Sequence, residues 1–285
     1  CLHLLHQGHR SVDAAKTSFG DLDELEKELD HYLKSPRMTV VRLTPDRIKP
    51  APVTLRDLSA GEAAVMPVRV RSRRGVNREQ ALGLLPEARA IAARYPGDAA
   101  VLAALAEAEH DAGNDDAAIV AADASLVLDP TQVNAYVQKG YALFRKADAA
   151  SDRIKAYREA RAPFVALNRI ENDHPLPLIY YYLAQRQMGP PTETSVNALQ
   201  RAVELAPFDM DIRFMLVMQQ IQDKKYDDAA RNLAPLAYNP HGGEGTDRMR
   251  RLLDRLKGRE GLDPLAIEAH MKGDGAGEAE PDGDR

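Results

Sequence analysis

The residues with the clearest capacity for metal chemistry lie at the start of the chain. His3, His6 and His9 are spaced three apart, and Cys1 stands close to them. A zinc site needs three or four converging ligands, whereas a helix would place only His3 and His6 on roughly one face. Gly8 is expected to end such a helix before His9 is reached. We therefore expect surface or core histidines here, and neither a metal site nor a cofactor in this chain.

A run of arginines is the next candidate for chemistry. Arg69, Arg71, Arg73, Arg74 and Arg78 follow one another closely, and in an alternating strand the first three would share a face. Such a face could contact nucleic acid or anionic lipid. However, no aromatic residues interleave the arginines to stack on bases, and the net charge of the chain is −5. A solvated strand face is the preferred interpretation, so nucleic acid is not an expected partner.

Motifs that carry catalysis are missing from the sequence. The stretch 273–277 is rich in glycine, but it is acidic and follows no strand, so it is a poor phosphate cradle. Asp209 and Asp211 lack the glycine and the distal glutamate of a calcium loop. There is neither a nucleophile elbow nor a Gly-Lys phosphate loop. We therefore expect that this chain is not an enzyme.

Composition indicates the elements that hold these residues. The chain has 285 residues, of which 44% are hydrophobic and 5% aromatic, with no Trp. Small and aliphatic side chains must therefore do most of the packing, which favours close-packed helices over a β-sandwich. No apolar run reaches the ~18 residues that a membrane span needs, and the single Cys excludes an internal disulfide framework.

Prolines recur at nearly regular intervals in the second part of the chain. Pro96, Pro130, Pro175, Pro207 and Pro240 each close a helix-like segment, at spacings of 34, 45, 32 and 33 residues. Three of these four spacings lie near ~34, a period typical of stacked helix pairs. We interpret the long interval as a unit with an insertion around residues 146–154.

The residues within one period repeat a recognisable pattern. Leu102 and Leu105 lie on a first helix, residues 113–119 form a turn and begin a second helix, and Ala118 allows the two helices to approach closely. Asp129-Pro130 ends the second helix, because proline disfavours the helical conformation in the residue before it. This pattern resembles a tetratricopeptide repeat. The resemblance implies a mainly α fold, an α-solenoid of antiparallel helix pairs, and a protein-protein interaction scaffold.

The remaining segments complete the expected domain organisation. Residues 1–36 are expected to be a helical remnant of an upstream domain, and the opening Cys1 favours a chain cut from a longer protein over a lipidated lipoprotein. Residues 37–75 are expected to form a short β-containing connector with strands near 38–43, 53–56 and 66–71. The repeat array is expected at 76–257, with 77–95 as a half unit and 246–257 as an end helix. Residues 258–285 are expected to be an end segment with a disordered acidic tail.

The front end resembles a second family. The segments 11–16, 19–29 and 32–33 look like the end of a bacterial peptidase-MA-like (gluzincin) domain. The His-Glu-x-x-His motif of that family, which binds zinc and supplies the general base, does not occur here. The resemblance implies an alternative function, namely the non-catalytic C-terminal part of an exported zinc metallopeptidase-like protein with its motif upstream. It also implies a periplasmic or exported location.

An inner groove is the expected binding site of the solenoid. First helices line the concave side of such arrays, and the stripe expected to face the groove is apolar and aromatic. Ala103 and Glu107 stand where a ring of Lys and Asn for a C-terminal carboxylate would begin, so we expect a peptide or an amphipathic helix instead. Two possibilities stay open: a partner fills the groove, or the molecule fills it with its own segments. The candidate groove residues are Asn134, Val137, Tyr141, Phe144, Arg145, Tyr180, Gln187, Phe214, Met218 and Ile221.

Overall fold

The structure is a computed structural model that describes residues 4, 11–34, 53–239, 243–259 and 267. The chain divides into two compact units, Cys1–Arg56 and Asp57–Arg285. The histidine group at residues 3, 6 and 9, the strand expected near 38–43 and the acidic tail all lie outside the described residues.

The described residues of the first unit form two helices, in agreement with the helical character expected for residues 1–36. They are α1 (Ser11–Phe19) and α2 (Leu22–Lys34). Gly20 joins them at a φ of +78°, a conformation that glycine adopts without strain. The Asp21 carboxylate caps α2 by accepting from the backbone N–H of Asp23 at 2.9 Å. No residue of α2 is buried, so its apolar stripe is only partly covered.

The expected β-containing connector is a helix where the structure describes it. Residues 53–59 have no regular structure, and α3 (Ala60–Arg73) spans the segment in which the last strand was expected. A capping box begins α3: the Ser59 hydroxyl accepts from the Glu62 N–H at 3.0 Å, and the Glu62 carboxylate accepts from the Ser59 N–H at 2.9 Å. Val65 and Val68, three residues apart, are its buried anchors. The strand prediction for residues 53–56 and 66–71 is therefore wrong.

Ten further helices follow in the described part of the second unit. They are α4 (Arg78–Arg94), α5 (Ala99–Asp111), α6 (Asp115–Leu128), α7 (Val133–Asp148), α8 (Arg153–Ile170), α9 (Pro175–Met188), α10 (Glu193–Leu205), α11 (Met210–Gln222), α12 (Tyr226–Ala237) and α13 (Gly243–Gly258). From α3 onward each helix contacts the next, and short connections make neighbours antiparallel. In addition, α3 contacts α5 and α5 contacts α7, so the first helices of successive pairs lie side by side. Helix α3 pairs with α4, so the segment 77–95, expected to be a half unit, supplies the second helix of a complete pair.

Separate apolar clusters hold successive pairs together. One lies between α3, α4 and α5 and includes Val68, Leu85 and Val101. Another lies between α11, α12 and α13, with Leu253 among its members and Ile267 packed into it. Many of the buried side chains are alanine, so the helices can approach closely. The end helix predicted at 246–257 is present as α13.

The long interval in the proline spacing arises from longer helices. Helices α7 and α8 have 16 and 18 residues, whereas α5 and α6 have 13 and 14. Within the expected insertion at 146–154, residues 146–148 end α7, residues 149–152 connect the two helices, and residues 153–154 begin α8. Pro175 is the first residue of α9, a position where its missing N–H does no harm, and not the end of α8 as predicted.

Candidate functional site

A row of polar contacts connects the first helices of three successive pairs. The Asn134 amide of α7 donates to the Glu107 carboxylate of α5 at 3.0 Å, and Gln138 donates to Asn134 at 3.3 Å. On the other side of Glu107, its Oε1 lies 3.9 Å from the Arg73 Nε of α3. We call this side of α3, α5, α7 and α9 the first-helix face.

A cavity of about 320 Å³ opens on the first-helix face. Helix α3 contributes two arginines to it, and the beginnings of α7 and α9 contribute amide, imidazole and aliphatic groups. The lining residues are Arg69, Arg73, Gln132, Val133, Asn134, Val137, His174 and Leu176. Two charged donors and two amides make this cavity suited to a polar or anionic ligand group.

Glu107 forms the acidic part of this face. Burial raises the pKa of its carboxyl above the ordinary value of 4.5, and the nearby Asp111 acts in the same direction. The hydrogen bond from Asn134 and the charges of Arg73 and Arg69 oppose that rise in pKa. The arginines are therefore close enough to interact electrostatically with Glu107.

A cluster of aromatic rings lies further along α7 and joins three helices. The Tyr180 ring of α9 stacks on Phe164 of α8 with centroids 4.5 Å apart, and the Phe144 ring of α7 meets Tyr180 edge-on at 4.8 Å. Tyr141 lies 5.2 Å from Tyr180, and Phe144 also contacts Tyr157 at 5.4 Å. Offset and edge-to-face pairs of this kind add to the stabilisation that burial alone provides.

His110 of α5 continues the cluster toward the next helix. Its ring centroid lies 5.8 Å from that of Tyr141, and its Nδ1 lies 3.1 Å from the Asp115 Oδ1. Arg145 of α7 pairs with Asp115 and donates to the His110 carbonyl at 2.6 Å. Burial and the Arg145 charge hold the pKa of His110 below its ordinary value, although Asp115 opposes them.

The structure brings together only some of the predicted groove residues. Asn134 and Val137 line the cavity, and Tyr141, Phe144 and Tyr180 meet in the aromatic cluster. Arg145 is engaged by Asp115, as described above. Gln187 accepts a hydrogen bond from Arg153 at 2.9 Å.

The remaining three predicted residues lie in a different place. Ile221 is buried, and Phe214 and Met218 pack against the apolar cluster of α11, α12 and α13. Their stripe on α11 therefore meets core residues. Whether any of the predicted residues binds a peptide stays a prediction.

Sequence reasoning missed several residues of this region. Arg69 and Arg73 were assigned to one face of a strand, although their spacing of four also places them one turn apart on a helix. His174 precedes Pro175, a helix-opening signal. Phe164 and His110 carry no signal that would have connected them to the site without knowledge of the packing.

Among the described residues, no group of three or more His, Cys, Asp or Glu side chains could hold a metal ion. No helix of the described segments is both long and apolar enough to cross a membrane.

Solved structures resemble this arrangement of helix pairs. TTC0263, a thermophilic TPR protein of Thermus thermophilus, is 17% identical in sequence, with a TM-score of 0.53 over 68% of this chain and 99% of that chain. The chain has the tetratricopeptide-repeat fold. The identity is too low to show more than the fold.

Two structures of another protein are also similar. MamA residues 41-end from Desulfovibrio magneticus RS-1 is 17% identical with a TM-score of 0.47, over 70% of this chain and 97% of that chain. The MamA RS-1 ArsTM double mutant is 18% identical with a TM-score of 0.48, over 68% and 96%. No protein-family model and no curated protein matches this chain. None of these comparisons supports the resemblance of the front end to a peptidase-MA-like domain.

Proposed function

We propose that this chain is a protein-interaction scaffold that binds a peptide segment along the first-helix face. The observation that carries the proposal is the cavity on that face, because its lining comes from three different helices, α3, α7 and α9. A site assembled in this way depends on the stacked array and not on any single helix pair.

The chemistry of the face supports a peptide as the ligand. Amide groups of Gln132 and Asn134 lie beside the aliphatic side chains of Val133 and Leu176 in the cavity. Peptide recognition commonly combines a few hydrogen-bonding groups with apolar contacts of this kind. Tyr141 and Tyr180 are half-buried, so part of each ring remains available for contact.

Photo-crosslinking of a bound peptide tests this proposal. A benzoylphenylalanine replaces Gln132, whose side chain forms no capping hydrogen bond to α7, and peptides are selected from a displayed random library with the full chain. We expect the selected peptides to crosslink at position 132. The matched control carries the same group at Val120, which is 68% exposed on α6. Equal crosslinking at both positions, or no selected peptide, would contradict the proposal.

The alternative function rests on the resemblance of the front end to a peptidase-MA-like domain alone. Sequencing the coding region upstream of Cys1 tests it directly. A His-Glu-x-x-His motif there would support a metallopeptidase-like parent protein, and its absence would remove the alternative.

A further inference from the structure

We propose that the cavity of the first-helix face binds side-chain carboxylates of an acidic peptide segment, with Arg69 and Arg73 as the ligand-binding cations. This inference rests on the proposed function, because it names the chemistry of the peptide that the face would hold.

The two arginines are the first support for an anionic ligand. They lie one turn apart on α3, so both guanidinium groups can reach one ligand. Within the described part of the chain, Arg69 has no hydrogen bond. Arg73 has only the 3.9 Å approach to Glu107, which is too long for a hydrogen bond. Arg71 on the same helix instead donates to Glu87 and is engaged. Two of the three arginines therefore keep donors for a ligand.

The charge balance of the cavity is the second support. None of its eight lining residues carries a carboxylate, although the chain as a whole has a net charge of −5. Two carboxylates lie nearby, and both already accept a hydrogen bond: Glu107 from Asn134 and Asp111 from Ser72. The lining itself therefore carries only positive charge, which favours a ligand of negative charge.

His174 adds a further donor to the cavity. Its Nδ1 accepts a hydrogen bond from the Leu176 N–H at 3.2 Å, so the ring proton of the neutral imidazole lies on Nε2. An N–H donor beside two guanidinium groups suits carboxylate oxygens, which are acceptors only.

Distance along α7 gives the expected pattern of the peptide. Asn134 in the cavity and Tyr141 in the aromatic cluster are seven residues apart, which corresponds to about 10 Å along a helix. An extended peptide covers that distance in about three residues. We therefore expect an acidic residue in the cavity and an apolar or aromatic residue about three positions away, against Tyr141 and Tyr180.

The test measures binding of two matched peptide pools to the full chain by fluorescence anisotropy. Each pool contains amidated peptides of about eight residues with Leu or Phe about three positions after a fixed residue, which is Glu in one pool and Gln in the other. Amidation removes the terminal carboxylate, so only side-chain carboxylates are tested. We expect the Glu pool to bind about tenfold more tightly, and to weaken as salt is added.

Three variants assign the effect to the cavity. Arg69→Gln and Arg73→Gln should each weaken binding of the Glu pool by about tenfold and leave the Gln pool unchanged. Arg74→Gln is the matched control. Arg74 is exposed and follows α3 directly, so its substitution removes the same charge as the other two. Circular dichroism checks that all three variants are folded.

Several outcomes would overturn the inference. Equal binding of both pools, with crosslinking at position 132 intact, rejects the acidic ligand and leaves the proposed function standing. Loss of that crosslinking as well rejects both. Tighter binding of oligo-dT than of the Glu pool identifies a nucleic-acid site instead.

The chain's own acidic segment is another possible occupant of the cavity. A variant in which amides replace the carboxylates of this segment tests that possibility; the residues changed are Asp274, Glu278, Glu280, Asp282 and Asp284. If only this variant binds the Glu pool, that segment is the occupant.

Discussion

Gly140 of α7 lies directly against the Phe164 ring of α8 in the aromatic region. A Cβ atom added at this position would overlap the ring of Phe164, which is fully buried. Phe164 also stacks on Tyr180, so the ring cannot move without disturbing the cluster. The close contact of two long helices therefore depends on a missing side chain.

We expect Gly140→Ala to lower the free energy of unfolding by about 1–3 kcal/mol, because the ring must shift in a packed core. Urea denaturation measures the change. Gly83→Ala in α4 is the matched control, since nothing lies within 4 Å of its added Cβ atom. That variant should gain about 0.5–1 kcal/mol, because alanine loses less backbone entropy in a helix. Similar losses for both variants would refute the steric explanation.

His110 is expected to make stability depend on pH. The charged groups around it are Asp111 on α5, Asp115 on α6 and Arg145 on α7, and the Tyr141 ring lies against it. Because burial holds its pKa below the ordinary value of 6.5, the folded chain resists the proton that the unfolded chain accepts. The free energy of unfolding should therefore fall as pH decreases through 6.5, by up to about 1.4 kcal/mol per pH unit.

Comparison of two glutamine variants between pH 5 and 8 isolates this contribution. His110→Gln should flatten the pH dependence of the unfolding free energy relative to the control His31→Gln, which makes the same substitution on the exposed α2. If both variants retain the slope of the parent protein, other groups cause it.

The predicted site residues show what a sequence can indicate about a surface. Tyr141 and Tyr180 were predicted to lie on the groove-facing stripes of two first helices, and the structure places their rings 5.2 Å apart. Phe214 and Met218 satisfied the same rule but meet the cluster of α11 to α13. The rule identifies the stripe, but packing between neighbouring helices decides whether that stripe is covered.

At the scale of the element, α3 is the helix that the sequence did not predict. The residues Val68-Arg69-Val70-Arg71 alternate between apolar and charged, as a half-buried strand does. Three-residue spacing of Val65 and Val68, together with the Ser59 and Glu62 capping box, fits a helix equally well. Contact of α3 with α4 and α5 decides between the strand and the helix. Those contacts are made with residues outside the segment, so its own sequence does not reveal them.

Ser59 should contribute more to the free energy of unfolding than its exposed position suggests. Its hydroxyl caps α3 and also donates to Asp98, the N-cap residue of α5. We expect Ser59→Ala to lower the free energy of unfolding by about 1–2 kcal/mol. Thermal denaturation measures this change against Ser151→Ala, an exposed position between α7 and α8. Equal stability of the two variants would contradict the capping role.

Helix pairing was the most predictable property of the second unit. The recurrence of proline, small residues and turns predicted antiparallel pairs, because each pair must bury one side against its neighbour. The lengths of α7 and α8 were not predictable from that recurrence. The number of residues between two prolines is the same whether the extra residues form a loop or extend a helix. Only the packing of α7 and α8 distinguishes these two cases.

At the scale of the whole second unit, stability should be local. The apolar clusters of α3–α5 and of α11–α13 contain different residues. Several helix pairs separate them along the array. In an array of this kind each pair contacts only its neighbours, so a defect weakens the pairs beside it first.

Hydrogen exchange followed by mass spectrometry tests this expectation. Leu253→Ala should speed exchange in α11–α13 and leave α3–α5 unchanged, and Ile91→Ala should do the reverse. Each change removes a buried aliphatic side chain and should cost about 2–5 kcal/mol locally. Faster exchange throughout the unit in both variants would indicate a single cooperative block.

The aromatic cluster also gives the molecule its own optical reporter. The chain has 10 Tyr and no Trp, so no indole absorption or emission obscures the phenol rings. Tyr141, Tyr157 and Tyr180 are held among neighbouring rings at fixed angles, which generates tyrosine ellipticity in the near ultraviolet. Occupation of the adjoining face would change the surroundings of two of these phenols, so an unlabelled sample can be titrated spectroscopically.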